Sequence, residues 1–579
     1  MKQALYLLLL LIYNTACTQI YYVNGATGSD NNSGLTLGSS WKTIQKAANT
    51  ALPGSTIFIR GGTYHENVEI DFSGLPGIPT VFRNYNNETV YIDGTGTSTS
   101  DGTALIRING ASHLEFRNLT LQNLLCTNAT GIRILPGTSG ATSNIKISNI
   151  IIYGIKWTSS ANTVPSNGDN AHPIVVYGSG ETQARAISNI TIEGCTIYGN
   201  VTGYSESLTI SGNVDGFLLK DNIVRNNSNV GIDIGGYHGV SPNNTLDRPR
   251  NGVIKGNKTF GNLSPYSTAA GIYIDGAYQV SVENNESYNN SYGIEIGCEE
   301  NGTTEKITVK DNIFYNNVVC GIYLGGFDES TTGQVLDCTI RNNTIFQNDT
   351  QYEGNGELQI SKASNCHIEN NIFYTNTQQV LMSFVDIEPS ANNSFDYNCW
   401  FTPNNDSHNL GFIYPDIMYT SFSDYRAATG QDAHSFYGDP KINSSTLATL
   451  DMSLQANSPC IDAANQETII SIGETCFSGL NRLFGTLDIG AYEFPVQLST
   501  AINKQEATAV SPVPATEFIY ISSNNEISRG IICDLSGKIL LQNDGANEEF
   551  NISVLPTGLY VLKLHYTDGG SSVHKIVKK

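Results

Sequence analysis

Short runs of alternating hydrophobic and polar residues recur along the middle of the chain, most of them beginning with glycine. In each run, aliphatic residues flank one polar or aromatic residue. The runs are Gly231-Ile-Asp-Ile-Gly, Gly271-Ile-Tyr-Ile-Asp, Gly293-Ile-Glu-Ile-Gly, Gly321-Ile-Tyr-Leu-Gly and Glu357-Leu-Gln-Ile. A period of two is typical of β-strands that bury one face. The isoleucines therefore point into a core, and the residues between them point outward.

Pairs of asparagines five residues apart repeat around these strands. The pairs are Asn222/Asn227, Asn257/Asn262, Asn285/Asn290, Asn312/Asn317, Asn343/Asn348 and Asn371/Asn376. Their first members are 35, 28, 27, 31 and 28 residues apart, which is typical of a β-solenoid with short strands in each coil. Asparagine suits the turns because it tolerates left-handed backbone angles, and its amide can bond the equivalent residue one coil away. The asparagines are therefore expected to be structural.

The segment before the repeat predicts a cap for the solenoid. Ile44, Ala47 and Ala48 fall on one face of a short helix, which would close the open end of the first coil. Strand-like residues 53–64 follow. The run closely resembles the opening of right-handed parallel β-helix proteins of the pectate-lyase-like superfamily. The resemblance implies an all-β chain, a right-handed parallel β-helix (solenoid) with an N-terminal capping helix.

Further boundaries follow from changes in composition. The β-helix spans 20–400, and a closing segment spans 401–496, where Arg482 is expected to pair with Asp488 or Glu493. A polar linker, 497–510, leads to alternating strands in 511–579 that predict a small C-terminal β-sandwich. Those strands resemble the type IX secretion sorting domain of Bacteroidetes, which implies export through the outer membrane and contact with the type IX machinery.

The first residues predict a signal peptide over 1–19, since one lysine precedes a short apolar core and a small residue. Cys17 follows Thr15-Ala16, but Asn14 departs from a lipoprotein motif, so lipidation is the less favoured interpretation. The protein is expected to be secreted or held at the cell surface. The eleven cysteines include no Cys-x-x-Cys pair, which argues against structural zinc. Cys460 and Cys476 are the one predicted disulfide.

Charge limits the partners. The net charge of −22 leaves no basic stripe for phosphates, so no nucleic-acid partner is expected. An anionic glycan would need a local Arg/Lys cluster or a bridging cation. A charged column of mixed sign, Lys220, Lys255, Glu283, Lys310, Arg341 and Glu369, predicts a salt-bridged ladder rather than a lyase base. We expect a monomer that acts on polysaccharide.

Candidate chemistry lies on one outer face. The strand register places Asp233, Tyr273, Glu295, Tyr323 and Gln359 in one column, starting from Thr209, with Asp275 in the neighbouring column. Asp233 and Glu295 would lie about 10 Å apart at Cα, and each would lie about 8 Å from Asp275. Side-chain movement brings that range within the carboxyl separations of glycoside hydrolases, and clustered carboxylates would shift pKa values apart.

Two loops follow this face. The coil from Asn222 to Asn257 is the longest, and its additional residues, 236–250, include His238, Arg248 and Arg250. Glu299 belongs to a second loop, after the Glu295 strand. Long insertions in a compact repeat are often functional. We therefore predict His238 and Arg250 as catalytic residues that orient the substrate beside the carboxylates. Substrate-binding residues are predicted to be Tyr273, Tyr323, Arg248 and Glu299.

The leading hypothesis is a secreted polysaccharide-degrading enzyme, with hydrolysis slightly favoured because carboxylates dominate the face. Asp233, Asp275 and Glu295 would supply acid, base or metal ligation. If the enzyme is a lyase instead, the same carboxylates would bind Ca²⁺ and Arg248 or Arg250 would be the base. No other cofactor is expected. The rival class is a non-catalytic adhesin or glycan-binding protein.

Overall fold

The computed structural model describes residues 18–494 and 509–579, except 139, 167, 327–329, 386–389, 404–410, 483–484, 524–525, 535–538, 546–548 and 568–570. Residues 1–17 of the predicted signal peptide, with Cys17, and residues 497–508 of the predicted linker lie outside the described residues. The chain divides into two compact units, Met1–Phe494 and Pro495–Lys579.

Three long sheets wind along the first unit, and each strand pairs in parallel with its equivalent one coil away, apart from one antiparallel pair at the end of the second sheet. The first sheet contains Ile20–Val23, Thr56–Ile59, Thr80–Asn84, Leu114–Arg117, Thr142–Ser148, Ile187–Glu193, Val214–Lys220, Arg250–Lys255, Tyr278–Glu283, Thr303–Glu305, Thr308–Lys310, Gln334–Leu336, Thr339–Arg341, Ala363–Ser364, His367–Glu369 and Ser394–Asp396. The second contains Val68–Ile70, Ala104–Asn109, Ala129–Leu135, Ala171–Gly178, Leu208–Gly212, Ile232–Gly235, Ala270–Asp275, Tyr292–Gly297, Cys320–Leu324, Leu358–Ile360, Val380–Phe384, Gly411–Ile413 and Met418–Tyr419. The third contains Gly62–Tyr64, Val90–Asp93, Thr120–Leu125, Ile151–Lys156, Thr196–Tyr198, Ile223–Arg225, Lys258–Phe260, Glu286–Tyr288, Ile313–Tyr315, Thr344–Phe346, Ile372–Tyr374, Cys399–Phe401 and Phe436–Tyr437. This order is that of a parallel β-helix and confirms the predicted fold.

Helices are few and short. The remaining elements of this unit are Leu37–Ser39, Ile44–Thr50, Gln183–Arg185, Phe422–Thr429 and Leu447–Thr449 as helices, and Ile442–Ser444 paired with Asp451–Leu454. Ile44, Ala47 and Ala48 are buried, as predicted for the capping helix. The Thr43 side chain accepts a hydrogen bond from the Lys46 N–H and so caps the helix N-terminus.

One column of the asparagine ladder continues from Asn222 to Asn398, whereas the other ends at Asn348, which bonds the Glu357 carboxylate. The predicted member Asn376 donates to the Asn348 carbonyl oxygen instead. Asn312 shows the geometry of the ladder: its amide donates to Asn343 Oδ1 at 2.9 Å, and its Oδ1 accepts from the amide of Asn285 at 2.9 Å. Each side chain also bonds backbone groups of neighbouring coils, so these buried amides are satisfied. The expected structural role is confirmed.

The closing segment covers the charged column of the first sheet. Lys310 lies 3.2 Å from Glu283 and 2.6 Å from Glu474, a residue of the closing segment that also lies 2.7 Å from Arg341. The predicted salt-bridged ladder is confirmed there.

Arg482 has the role expected of it. Its fully buried guanidinium pairs with Asp311 at 2.6 Å and with Glu493. Asp488, in contrast, accepts backbone hydrogen bonds from Asp462 and Phe494. Asp488 and Glu493 therefore have structural roles at this end of the β-helix.

The predicted disulfide is wrong. Cys460 and Cys476 are free thiols, both fully buried. Cys476 Sγ lies 3.1 Å from Ser478 Oγ instead. Their spacing in sequence suggested a short loop, but each thiol packs as a small apolar group where it lies.

The second unit is a small β-structure with its own apolar core. Its first sheet contains Ala509–Ser511, Phe518–Ser522 and Glu549–Asn551, and its second contains Ile527–Cys533, Ile539–Asp544, Gly558–Tyr566 and Ser571–Lys578. All pairings between these strands are antiparallel, in keeping with the expected C-terminal β-sandwich.

Candidate active site

One column of side chains on the outer face of the second sheet has the predicted composition. Strand pairing aligns Thr209, Asp233, Tyr273, Glu295, Tyr323 and Gln359 on successive coils. The isoleucines that flank Asp233 are fully buried in the core, as the alternation requires. The register thus brings two carboxyl groups and two tyrosines onto one face.

A neighbouring column contains Tyr177, Ser211, Gly235 and Asp275. Gly235 leaves a gap in this column. A Cβ atom there would lie 2.9 Å from Asp233 Oδ2 and 3.4 Å from His238 Cδ2. The missing side chain therefore makes room for the His238 ring beside Asp233.

The loop that carries His238 is held by Asp247. The Asp247 carboxylate accepts hydrogen bonds from the N–H groups of Gly239, at 2.7 Å, and Ser241, at 2.8 Å. Its carbonyl accepts from Tyr237 N–H at 2.6 Å, where the backbone has a left-handed φ of 68°. Because Asp247 is buried, these bonds fix the turn and the position of His238.

His238 and Asp275 form an ion pair within the site. His238 Nε2 lies 2.6 Å from Asp275 Oδ2, and Asp275 Oδ1 accepts from Glu299 N–H at 2.8 Å. Burial opposes protonation of His238, but the hydrogen bond and the charges of Asp275, Glu299 and Glu206 outweigh it and raise its pKa to about 9. The imidazolium therefore supplies positive charge among the carboxylates.

These groups line a cavity with two adjoining lobes of about 790 and 340 Å³. Asp233, His238 and Asp275 line the larger lobe, while Glu295 and Tyr323 line the smaller one. Residues common to both lobes are Val230, Thr268, Tyr273 and Glu299. The volumes are in the range of small-ligand sites.

Glu206 belongs to the cavity but was missed by the sequence reasoning. It lies in the turn before Leu208–Gly212 and accepts a hydrogen bond from Thr209 Oγ1 at 3.2 Å. Burial and the charge of Glu299 raise its pKa to about 7, while the charge of His238 lowers it. The one available signal was its position three residues before Thr209, the start of the predicted column.

Asp233 is the central carboxyl group. Burial raises its pKa well above the ordinary value, and the charges of Glu206, Asp275, Glu299 and Glu295 raise it further. Its side chain has no hydrogen-bond partner among the described residues, although the residue is only 6% exposed. The surroundings of Asp233 therefore favour the protonated form of its carboxyl group, which borders the cavity.

Glu295 and Glu299 add two further weak acids. Burial raises the pKa of Glu295 to about 8, reinforced by the charges of Glu299 and Asp275. Burial and the charge of Asp275 also raise the pKa of Glu299 to about 7, against the charge of His238. Near neutral pH the cavity thus contains both protonated and ionised carboxyl groups.

A second pair missed by the sequence reasoning, His172 and Tyr177, lies at one side of the larger lobe. Tyr177 Oη lies 3.0 Å from His172 Nε2. Burial and the nearby charge of Arg133 lower the pKa of His172 to about 3, so this histidine is neutral. Extending the Asp275 column across Gly235 and Ser211 would have reached Tyr177.

The two predicted arginines lie outside the cavity. Arg248 donates to the carbonyl oxygens of Ala277 and Thr303, both at 2.8 Å, and so braces the loop. Arg250 begins a strand of the first sheet, where its Nε lies 3.1 Å from Asp215. The structure thus places neither arginine beside the cavity carboxylates where the sequence had put them: Arg248, predicted to bind substrate, and Arg250, predicted to be catalytic, are outside the lining of both lobes.

Among the described residues, one group has ligand atoms spaced for a metal ion: His238, Asp275 and Glu299, whose atoms lie within 4.8 Å of one another. Calcium prefers six to eight oxygen ligands. This group supplies an imidazole nitrogen, and that nitrogen already contacts Asp275. This group shares only Asp275 with the carboxylates proposed from the sequence to bind Ca²⁺, and it is not an all-oxygen set.

Comparisons with known proteins agree with this architecture. The right-handed β-helix region model matches residues 245–345, and the secretion system C-terminal sorting domain model matches 509–579. A pectate lyase, PEL9 of Emericella nidulans, is 38% identical over 108 residues, covering 17% of this chain and 26% of that protein.

Solved structures with related folds are more distant. A GH136 lacto-N-biosidase from Eubacterium ramulus has a TM-score of 0.46 at 14% identity and covers 66% of this chain and 67% of its own. Pectate lyase Pel9A has a TM-score of 0.41 at 16% identity, over 82% and 96%.

Together the fold and the matches define a right-handed parallel β-helix protein with a type IX sorting domain, which indicates secretion or export to the cell surface. No helix among the described residues has the length and apolar character needed to cross a membrane. "Uncharacterized protein YwoF" of Bacillus subtilis is 36% identical over 451 residues, covering 76% of this chain and 92% of that protein. The chain belongs to the YwoF family.

Proposed function

We propose that the protein is a secreted carbohydrate-active enzyme, a glycoside hydrolase whose active site is the acidic cavity. The proposal rests on Asp233. It is a buried carboxyl group without a hydrogen-bond partner among the described residues, and the charges of four other carboxyl groups raise its pKa. Glycoside hydrolysis needs one protonated and one ionised carboxyl group. The partial match to a pectate lyase accords with a carbohydrate substrate.

Asp233 is the general acid in this proposal, and Glu206 is its partner. Burial and the charge of Glu206 hold the proton on Asp233, which donates it to the oxygen of the scissile glycosidic bond. Glu206, whose pKa is raised to about 7 by burial and by Glu299, takes a proton from the water that adds to the sugar carbon. The cleaved bond thus gains the elements of water.

The surrounding residues position the substrate. The His238–Asp275 ion pair offsets the negative charge beside the acid. Tyr273 and Tyr323 line the smaller lobe, and aromatic rings of this kind present flat apolar faces to sugar rings. Glu295 and Glu299 offer hydrogen bonds to hydroxyl groups.

The absence of a suitable base favours hydrolysis over β-elimination. A lyase of the pectate type takes a proton with lysine or arginine. Neither residue type occurs among the described residues that line the two lobes. The arginines considered for that role brace the loop and pair with Asp215.

The test compares Asp233→Asn and Glu206→Gln with Glu181→Gln, a control at an exposed carboxylate outside the cavity. On a glycan panel assayed for new reducing ends, the cavity variants should lose about 10²–10⁴ in rate while the control keeps the wild-type rate. Full turnover by both cavity variants would overturn the site. Products with the ultraviolet absorbance of unsaturated uronates would identify a lyase, and binding without turnover would identify an adhesin.

A further inference from the structure

The cavity is lined by several carboxyl groups and, among the described residues, by no lysine or arginine, and this composition limits the charge of the substrate that it can bind. We infer that it accepts glycans whose sugar rings are uncharged and rejects uronate rings. The inference rests on the proposed function, because it names the substrate class of the same site.

The cations described near the cavity have partners within the protein. His238 is bonded to Asp275 at 2.6 Å and lies 3.8 Å from Glu300. Arg248 donates to two backbone carbonyl oxygens, and Arg133 donates to the Asn128 carbonyl oxygen and Thr130 Oγ1 at 3.2 and 2.7 Å. No lysine or arginine occurs among the described residues that line the two lobes, so a uronate there would meet only the already paired His238 as a cation.

The carboxyl groups oppose a second negative charge directly. Glu206 and Glu299, whose pKa values are both about 7, border the larger lobe and are partly ionised near neutral pH. A substrate carboxylate within a few ångströms of these ionised groups would be repelled. An uncharged ring avoids that repulsion.

The same surface suits hydroxyl-rich rings. The side chains of Asp233, Tyr273 and Glu295 have no hydrogen-bond partner among the described residues, so their polar atoms are free for sugar hydroxyl groups. Tyr292 and Tyr323 stack at 5.5 Å between ring centroids, with 21° between their planes. Both line the smaller lobe and offer a broad aromatic surface.

The experiment compares one polymer in two forms. Carboxyl reduction converts a polyuronate into the neutral glycan with the same linkages, so only the charge changes. Oligosaccharides from each form, across several linkages, are titrated calorimetrically into full-length Asp233→Asn, and wild type is assayed on the polymers. We expect binding at least about tenfold tighter, and turnover at least about tenfold faster, for the neutral form of the linkage that is recognised.

Thr268→Lys provides the matched variant. Thr268 lines both lobes, so a lysine there should weaken the discrimination against uronates. Equal or tighter binding of the native polyuronate by the Asp233→Asn protein would overturn the inference, as would uronate turnover that requires added Ca²⁺. Strong preference in binding with no turnover by wild type would support the substrate class and overturn the proposed catalysis. No binding of either form would overturn both.

Discussion

His238 Nε2 lies 2.6 Å from Asp275 Oδ2 across the gap that Gly235 leaves in its column. This ion pair raises the pKa of His238 from 6.5 to about 9 against the effect of burial. A histidine with a raised pKa stabilises the folded state below its unfolded pKa, and the contribution disappears as the pH rises through the folded value. His238→Gln should therefore destabilise the protein most below about pH 6.5 and match wild type above about pH 9.

Chemical denaturation of wild type and His238→Gln across pH 5–10 measures this difference. His65→Gln is the control, because that imidazole lies 4.0 Å from Asp93 outside the cavity and is mostly exposed. A pH-independent difference between wild type and His238→Gln would contradict the ion-pair assignment.

Activity should rise with pH through about 7, where Glu206 ionises. The base must be ionised to accept a proton, so the rising limb of kcat/KM reports its pKa. Because His238 lowers the pKa of Glu206, His238→Gln should move that limb to higher pH. The measurement is kcat/KM against pH on a neutral glycan, and an unchanged limb in His238→Gln would argue against Glu206 as the base.

Glu295 should reduce stability at alkaline pH. Burial, Glu299 and Asp275 raise its pKa from 4.5 to about 8, so folding opposes its ionisation. The folded state consequently loses stability as the pH rises from about 4.5 to about 8. Glu295→Gln should gain about 1–3 kcal/mol near pH 8 and nothing below pH 4.5, as measured by denaturant titration. Glu353→Gln, at an exposed turn, is the control and should behave like wild type at both pH values.

The sequence was sufficient for the Asp233 column because a period of two and a coil repeat together fix which residues align. It was not sufficient for Glu206, which reaches the cavity from a turn before its strand, where no alternation applies. The predicted position of Arg250 was wrong for a related reason. After a long insertion, the position of a residue along the chain no longer indicates which sheet the next strand joins, and Arg250 begins a strand of the first sheet. The role of Gly235 could not be predicted from the sequence either. Its lack of a side chain leaves space for the His238 ring, and only the folded loop shows that His238 occupies that space.

Arg482 should be essential to the closing segment. It is 1% exposed and neutralises Asp311 and Glu493 together. Arg482→Met would leave two buried carboxylates unpaired, with an expected cost of about 3–5 kcal/mol. Arg60→Met removes a partly exposed pair with Glu88 and should cost about 0–1 kcal/mol. Equal losses in a denaturant titration of the two variants would contradict the structural role of Arg482.

Asn312 is a suitable position at which to test the asparagine ladder, because it accepts hydrogen bonds from Asn285 in one adjacent coil and donates to Asn343 in the other. Asn312→Ala would remove the acceptor of two Asn285 donors, the backbone N–H at 2.8 Å and the side-chain amide at 2.9 Å, and the donor to Asn343. Each buried polar group left unsatisfied costs about 1–3 kcal/mol, so the variant should lose at least about 2 kcal/mol. Asn162→Ala, at an exposed turn, should change stability by less than about 0.5 kcal/mol. Hydrogen exchange should show the loss of protection concentrated in the coils of Asn285 and Asn343, because a solenoid coil contacts mainly its neighbours. Loss spread evenly over all coils would instead indicate that the ladder acts as one cooperative unit.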